Sequence, residues 1–335
     1  MNQSSNSWLF GRQLRFRFSL RGLFIFLLIL SLPLGWLGRH IIRSRQETAF
    51  AASVSQAGGE VRFDYNAAGP AFPADQPKGP WLLRQAFGQN LFSYVCSADL
   101  SRVKNPNAFE TSLGQMATMD TLSLPAGPLS DELIESIARL PNLSELTLNG
   151  SSITPTQMRR LATDNSILAL NLSGAAAADG VLKQLHHFRH LPNVTITAGA
   201  TTDQGLKALS QVDSIFTLEI RGMPAVTNSG FRYLTRLPNL RALQISGTQI
   251  TEDCVSDLAQ MTQLQLAEIS PGNLKHQYRN LQMFRLDTLE PIDDPYPQLS
   301  RWDCGVPENI QCIRCVRVEK NLIRLDFWDQ PYETK

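Results

Sequence analysis

The chain is short of charge, and the charge it has is not evenly mixed. Only 18% of the 335 residues are charged while 43% are hydrophobic, which excludes a disordered chain. Acidic residues and lysine are absent from residues 1–46, which hold seven arginines, so the rest carries 24 basic against 30 acidic residues. The chain is therefore a +7 leader joined to a −6 body. With all of the net positive charge in the leader, the body is not a nucleic-acid binder. A second long apolar run is missing, which excludes a transporter with many spans. The signatures HExxH, GxSxG and GxxxxGK[ST] are missing too, and no acid, base and nucleophile can be placed together. The sequence thus predicts no enzyme, no catalytic residue, no cofactor and no metal.

What is present begins with residues 22–38, GLFIFLLILSLPLGWLG, 17 uncharged and mostly apolar positions. Arg12, Arg15, Arg17 and Arg21 stand before them and Arg39, Arg43 and Arg45 after. As a helix this run covers roughly 25 Å, so Arg21 and Arg39 would snorkel to the headgroups and Trp36 would sit near an interface. Pro33 would kink such a helix without excluding it. A cleaved signal peptide is the rival reading, but the A-x-A form at Ala49-Phe50-Ala51 lies 11 residues past the run and behind three arginines. The expectation is one uncleaved transmembrane helix at 22–38, with the body exported.

Beyond the leader an apolar pattern repeats every 24 residues. Its paired positions are Leu122/Leu124, Leu146/Leu148, Leu170/Leu172, Val194/Ile196, Leu218/Ile220, Leu243/Ile245 and Ala267/Ile269, with Ala98/Leu100 in front. One interval, from 218 to 243, is 25. Within each unit the pattern changes from alternation to helical spacing, so each unit reads as a strand, a turn and a short helix. Thr154, Thr202, Thr227 and Thr251 stand where helix N-caps are needed, and Thr154-Pro155-Thr156-Gln157 reads as a capping box. A unit of this size cannot bury its apolar stripe alone, so the units must stack with their strands in a parallel sheet.

LPNLSELTLNGSSIT at 140–154, LPNLRALQISGTQITED at 237–253 and Thr202-Asp203-Gln204-Gly205-Leu206 resemble leucine-rich repeats. RFSLRGLFIF at 17–26 and GGEVRFDY at 58–65 are similar to segments of bacterial membrane-anchored leucine-rich repeat proteins. The resemblance, covering about residues 15–270, implies an α/β leucine-rich repeat solenoid serving as a curved interaction scaffold. Repeats of this type also resemble those of F-box ubiquitin-ligase receptors, but no F-box-like module precedes them and that role is not carried over.

The predicted organisation is a basic tail at 1–21, the span at 22–38, a juxtamembrane segment with a Pro/Gly spacer and front cap at 39–94, the repeats at 95–270 and a C-terminal cap at 271–335. Trp81 to Asn90 reads as a short amphipathic helix able to cap the front, and Ile310 to Phe327 as a β-hairpin closing the back.

Strand positions that alternate with the core pairs line one face, about 34 Å long for eight strands. Thr147, Asn149, Asn171, Ser173, Thr195, Thr197, Glu219, Arg221, Gln244, Ser246 and Glu268 are its ligand-binding candidates. The face is polar, weakly acidic and free of Trp and Tyr, so it suits a protein, peptide or glycan partner with Arg221 as its strongest anchor. Cys304, Cys312 and Cys315 are candidates for one disulfide in an exported body; Cys312-x-x-Cys315 lacks the second pair that a zinc ribbon needs. His186, His187 and His190 form HHxxH without a third ligand type, which favours an ordinary surface helix. Self-assembly into an envelope scaffold is the main alternative function, and a thiol or metal enzyme site in the last 65 residues a lesser one.

Overall fold

A computed structural model describes residues 20–66, 76–164, 167–258, 260–264, 266–271, 282–285, 291–292, 311–319 and 322–329. The protein is mixed α/β, built on one nine-stranded sheet whose strands stand in sequence order. These are β1 Glu60–Phe63, β2 Val95–Asp99, β3 Thr121–Leu124, β4 Glu145–Asn149, β5 Ala169–Ser173, β6 Asn193–Thr197, β7 Thr217–Arg221, β8 Ala242–Thr248 and β9 Leu266–Pro271. The eight from β2 onward are parallel, and β1 adds antiparallel to the front edge. Short helices return the chain between strands: α3 Glu110–Leu113, α4 Asp131–Ala138, α5 Pro155–Asp164, α6 Asp179–Leu182, α7 Asp203–Leu209, α8 Asn228–Leu234 and α9 Val255–Leu258.

The 24-residue period fixes the register. Ala98, Leu122, Leu146, Leu170, Val194, Leu218, Leu243 and Ala267 lie opposite one another across successive strands. All are buried in a single core. The 25-residue interval is absorbed between β7 and Thr227, where the turn at 222–226 is one residue longer than its counterparts, so the register is undisturbed.

Thr154 accepts from the Gln157 N–H (3.2 Å) while Gln157 Oε1 accepts from the Thr154 N–H (2.9 Å), the reciprocal pair that the sequence predicts. Thr202 and Thr227 cap α7 and α8 through the N–H groups of Gln204 and Ser229. Each of those threonines is also held from the preceding unit. Asp179 accepts both the N–H (2.9 Å) and the hydroxyl (2.6 Å) of Thr202, and Asp203 does the same for Thr227 (2.8 and 2.7 Å). Gly205 and Gly230 make room for them, since a Cβ there would lie 2.5 Å from Asp179 Oδ1 and 2.2 Å from Asp203 Oδ1. The Thr-Asp-x-Gly string is thus a cap, a staple to the next unit and a clearance for the previous staple. Asp203→Ala removes two charge-assisted bonds and is expected to cost about 2 to 3 kcal/mol, with Asp203→Asn losing less, as read from urea denaturation.

The front of the core is closed by α1, Leu20–Gln56, a single helix that continues through Pro33. Its last turns place Phe50 and Val54 in the core, with the Phe50 ring edge-on to Phe109 at 6.1 Å. This corrects the expected front cap: α2, Trp81–Phe87, forms where the sequence places a helix but buries none of its residues. An amphipathic look at 81–90 did not reveal that the core end was already taken by α1. Among the described residues no helix is long and apolar enough to cross a membrane. The side chains at 20–23, 25 and 26, part of the expected span and its edge, lie outside the described residues.

Glu47, on α1, is 2% exposed and ties the helix to the sheet. It accepts the Val95 N–H at 3.2 Å and pairs with Arg43 at 3.5 Å. Burial pushes its carboxyl above the ordinary range, with Arg43 and the Val95 N–H pulling it partway back. A raised folded value means that ionisation opposes folding. The stability carried by the protonated carboxyl is intact below the ordinary carboxylate value of about 4.3 and is lost as pH rises through the raised one. Glu47→Gln is therefore expected to melt with the wild type near pH 4 and above it at pH 7; a gap that widens on acidification would refute the cause.

At the far end, Gln282–Arg285 (β10), Gln311–Glu319 (β11) and Leu322–Asp329 (β12) belong to a separate antiparallel sheet with β12 between the other two. β11 and β12 pair as the expected hairpin, offset by one or two residues at its ends, and β11 lies against β9.

Candidate functional site

The strand-face candidates fall into register as a row: Thr147, Asn171, Thr195, Glu219, Gln244 and Glu268 are opposite neighbours on β4 to β9. Much of their bonding capacity is spent on one another. Asn171 Nδ2 donates to Glu145 and Thr147, both at 3.0 Å. Arg221 pairs with Glu219 and donates to Gln244 Oε1 at 3.0 Å. Ser173 bonds only weakly to the Leu148 carbonyl, at 3.4 Å, and Asn149 is exposed. Thr195, Thr197 and Ser246 are half-buried, and the Glu268 side chain lies outside the described residues. The strongest anchor expected from sequence is therefore already engaged at its tip.

A second feature sits at the N-terminal ends of β6 to β8. There the loops entering three successive strands enclose an open groove of 660 Å³. Arg189 and His190 come from the loop before β6, Asp213 and Phe216 from the loop before β7, and Arg241 from the residue before β8. Phe216 is 47% exposed, and Leu168, at the same position one strand beyond Pro192, is 41% exposed. Bulky apolar groups left in water at equivalent positions of a repeat mark a contact surface more readily than scattered ones do.

The loops are rigidly set. Asn239 Nδ2 donates to the Asp213 carbonyl (2.8 Å), and the Ser214 hydroxyl accepts the Leu191 N–H (2.9 Å). Asn142 makes the same bond back to Ala117, which explains the Pro-Asn of the two LPNL strings as a loop staple. Arg189 and Arg241 make no ion pair among the described residues, and Asp213 is the only acid lining the groove. The groove is thus a basic patch beside the exposed Phe216 ring, on a body that is acidic overall.

His186 lines this groove, and the His187 ring lies tilted against the His186 ring, with centroids 4.0 Å apart. Desolvation first, then His186 and Arg159, pull the His187 imidazole below its ordinary value. The surface helix expected over His186 to His190 does not form: residues 185–187 make one 3₁₀ turn and Phe188 is extended. Among the described residues no three His, Cys, Asp or Glu side chains could hold a metal.

Cys96 and Cys254 are both buried, as their repeat positions suggest. Cys304 lies outside the described residues. Cys312 and Cys315 lie on β11, opposite Trp328 and Asp326 of β12, with their side chains outside the described residues.

The sequence pointed to the strand face and missed the groove, because its parts are single residues of ordinary type about 25 apart. The one available signal was the bulky apolar residue immediately before a strand, at Leu168 and Phe216. No protein-family model matches the chain, and no curated protein matches it either.

Proposed function

We propose that residues 95–271 are a leucine-rich repeat solenoid and that the chain is a non-catalytic binding module held at a membrane by residues 22–38. The stacked register of 24-residue units supports the first part. The leader supports the second: Phe24, Leu27, Leu28, Ile29, Leu32 and Leu34 are each at least half exposed on a helix that projects away from the core.

The observation that carries a binding role is the groove with Arg189 and Arg241 unpaired beside exposed Phe216. Two free guanidinium groups flanking an apolar face fit a protein or peptide segment that carries carboxylates beside an apolar side chain. The polar strand face next to it extends the same surface. Self-assembly through the front end is disfavoured, because α1 covers the core there and β1, only four residues long, leaves a poor edge for pairing.

The test is charge reversal. Arg189→Glu with Arg241→Glu is expected to abolish partner crosslinking in native membranes while leaving thermal stability unchanged, since both side chains are exposed. Retention of the same crosslinked product would move the binding site elsewhere.

A further inference from the structure

We propose that α2 lies flat in the headgroup region of the membrane that α1 enters, giving the body a second point of attachment; this rests on the anchor reading of residues 22–38. The helix WLLRQAF exposes Trp81 at 63%, Leu82 at 61% and Phe87 at 39%, and none of its residues is buried. A helix of seven residues is not stable by itself in water, and the body covers it only partly, at Leu83 and Arg84. Something apolar therefore faces it.

Its place in the fold says what that is. The segments on both sides of α2 meet at Phe92, which is held against α1 at the height where the apolar run ends. Phe92 stacks on Trp36 (centroids 6.1 Å apart, planes 29° apart) and lies 5.9 Å from His40. Gly79 presses on the same ring so closely that a Cβ there would lie 2.2 Å from it. Trp36 is two residues from the end of the 22–38 run, and α2 starts two residues after Gly79. Trp81 and Leu82 are thus presented beside the boundary at which α1 would leave the hydrocarbon, where Trp is the preferred side chain.

Charge complements this placement. Arg39, Arg43 and Arg45 follow the apolar run on α1, Lys78 precedes α2 and Arg84 lies on it, while Asp64 and Glu47 are already paired with Lys78 at 2.9 Å and Arg43 at 3.5 Å. The balance left over is basic, as required of a surface that meets anionic headgroups. An apolar helix face bordered by arginine and lysine, beside a span, fits lipid better than a protein partner. Two attachments would fix the azimuth and tilt of the repeat sheet relative to the membrane, so that the groove faces one direction.

The test uses the full chain reconstituted in phosphatidylcholine/phosphatidylglycerol vesicles, with a photoreactive residue placed singly at Leu28, Leu82, Phe87 or Phe216. Lipid adducts are expected at 28, 82 and 87 and not at 216, with unchanged circular dichroism throughout. Adducts at 28 alone overturn the attachment of α2 and leave the anchor standing. No adduct at 28 overturns the anchor and this inference with it, and a protein adduct in place of lipid at 82 or 87 assigns the face to a partner instead.

Discussion

Phe231→Ala is expected to lower the stability of the repeat sheet by about 3 to 5 kcal/mol. Phe231 is fully buried on α8 and occupies the repeat position of Ile134, Met158, Leu182 and Leu206, one from each of α4 to α7 and all fully buried. In a stacked array each unit leans only on its neighbours, so the cavity weakens two interfaces at once and uncouples the front units from the back. Urea denaturation followed by circular dichroism should show a lower midpoint and a broadened or split transition. Phe216→Ala, which removes an aromatic of equal size from an exposed position, should change the midpoint little. Equal losses at the two positions would contradict the assignment of core and surface.

Leu28→Arg together with Leu30→Arg is expected to move the protein from the membrane to the soluble fraction. Two central arginines cost roughly 6 to 8 kcal/mol of insertion free energy relative to leucine. Both leucines project from α1 into the surroundings, so the body should keep its fold. Sedimentation after carbonate extraction reads the outcome. A wild type that is already released by carbonate, or a variant that still pellets with membranes, would count against the anchor.

The parallel sheet was legible because its signal is redundant: eight strands carry the same pair of core positions, and one extra residue at 222–226 could be tolerated without losing the phase. The capping threonines Thr154, Thr202 and Thr227 were legible for the same reason. What defeated the sequence was any contact made once. The docking of α1 depends on Phe50, Val54 and Glu47, which follow a membrane-like run and look like its tail rather than like the start of a core. α2 reads as amphipathic yet leaves Trp81, Leu82 and Phe87 exposed, and periodicity cannot say which side of a helix meets the protein. The strand-face residues were placed correctly in a row, but the bonds that Asn171 and Arg221 make within that row depend on rotamers that no spacing encodes. The groove is assembled from loops of three units, so each of its residues is unremarkable in its own unit.

The most direct test of a membrane-held binding array is site-specific photocrosslinking of the full chain in intact native membranes from Phe216, with Gln204 on α7 as the comparison position. Both side chains are exposed, but only Phe216 lies in the groove. A discrete adduct from 216, absent from 204 and lost with Arg189→Glu and Arg241→Glu, is the predicted result. Equal labelling from both positions, or an adduct from 216 that survives the charge reversal, would contradict the account.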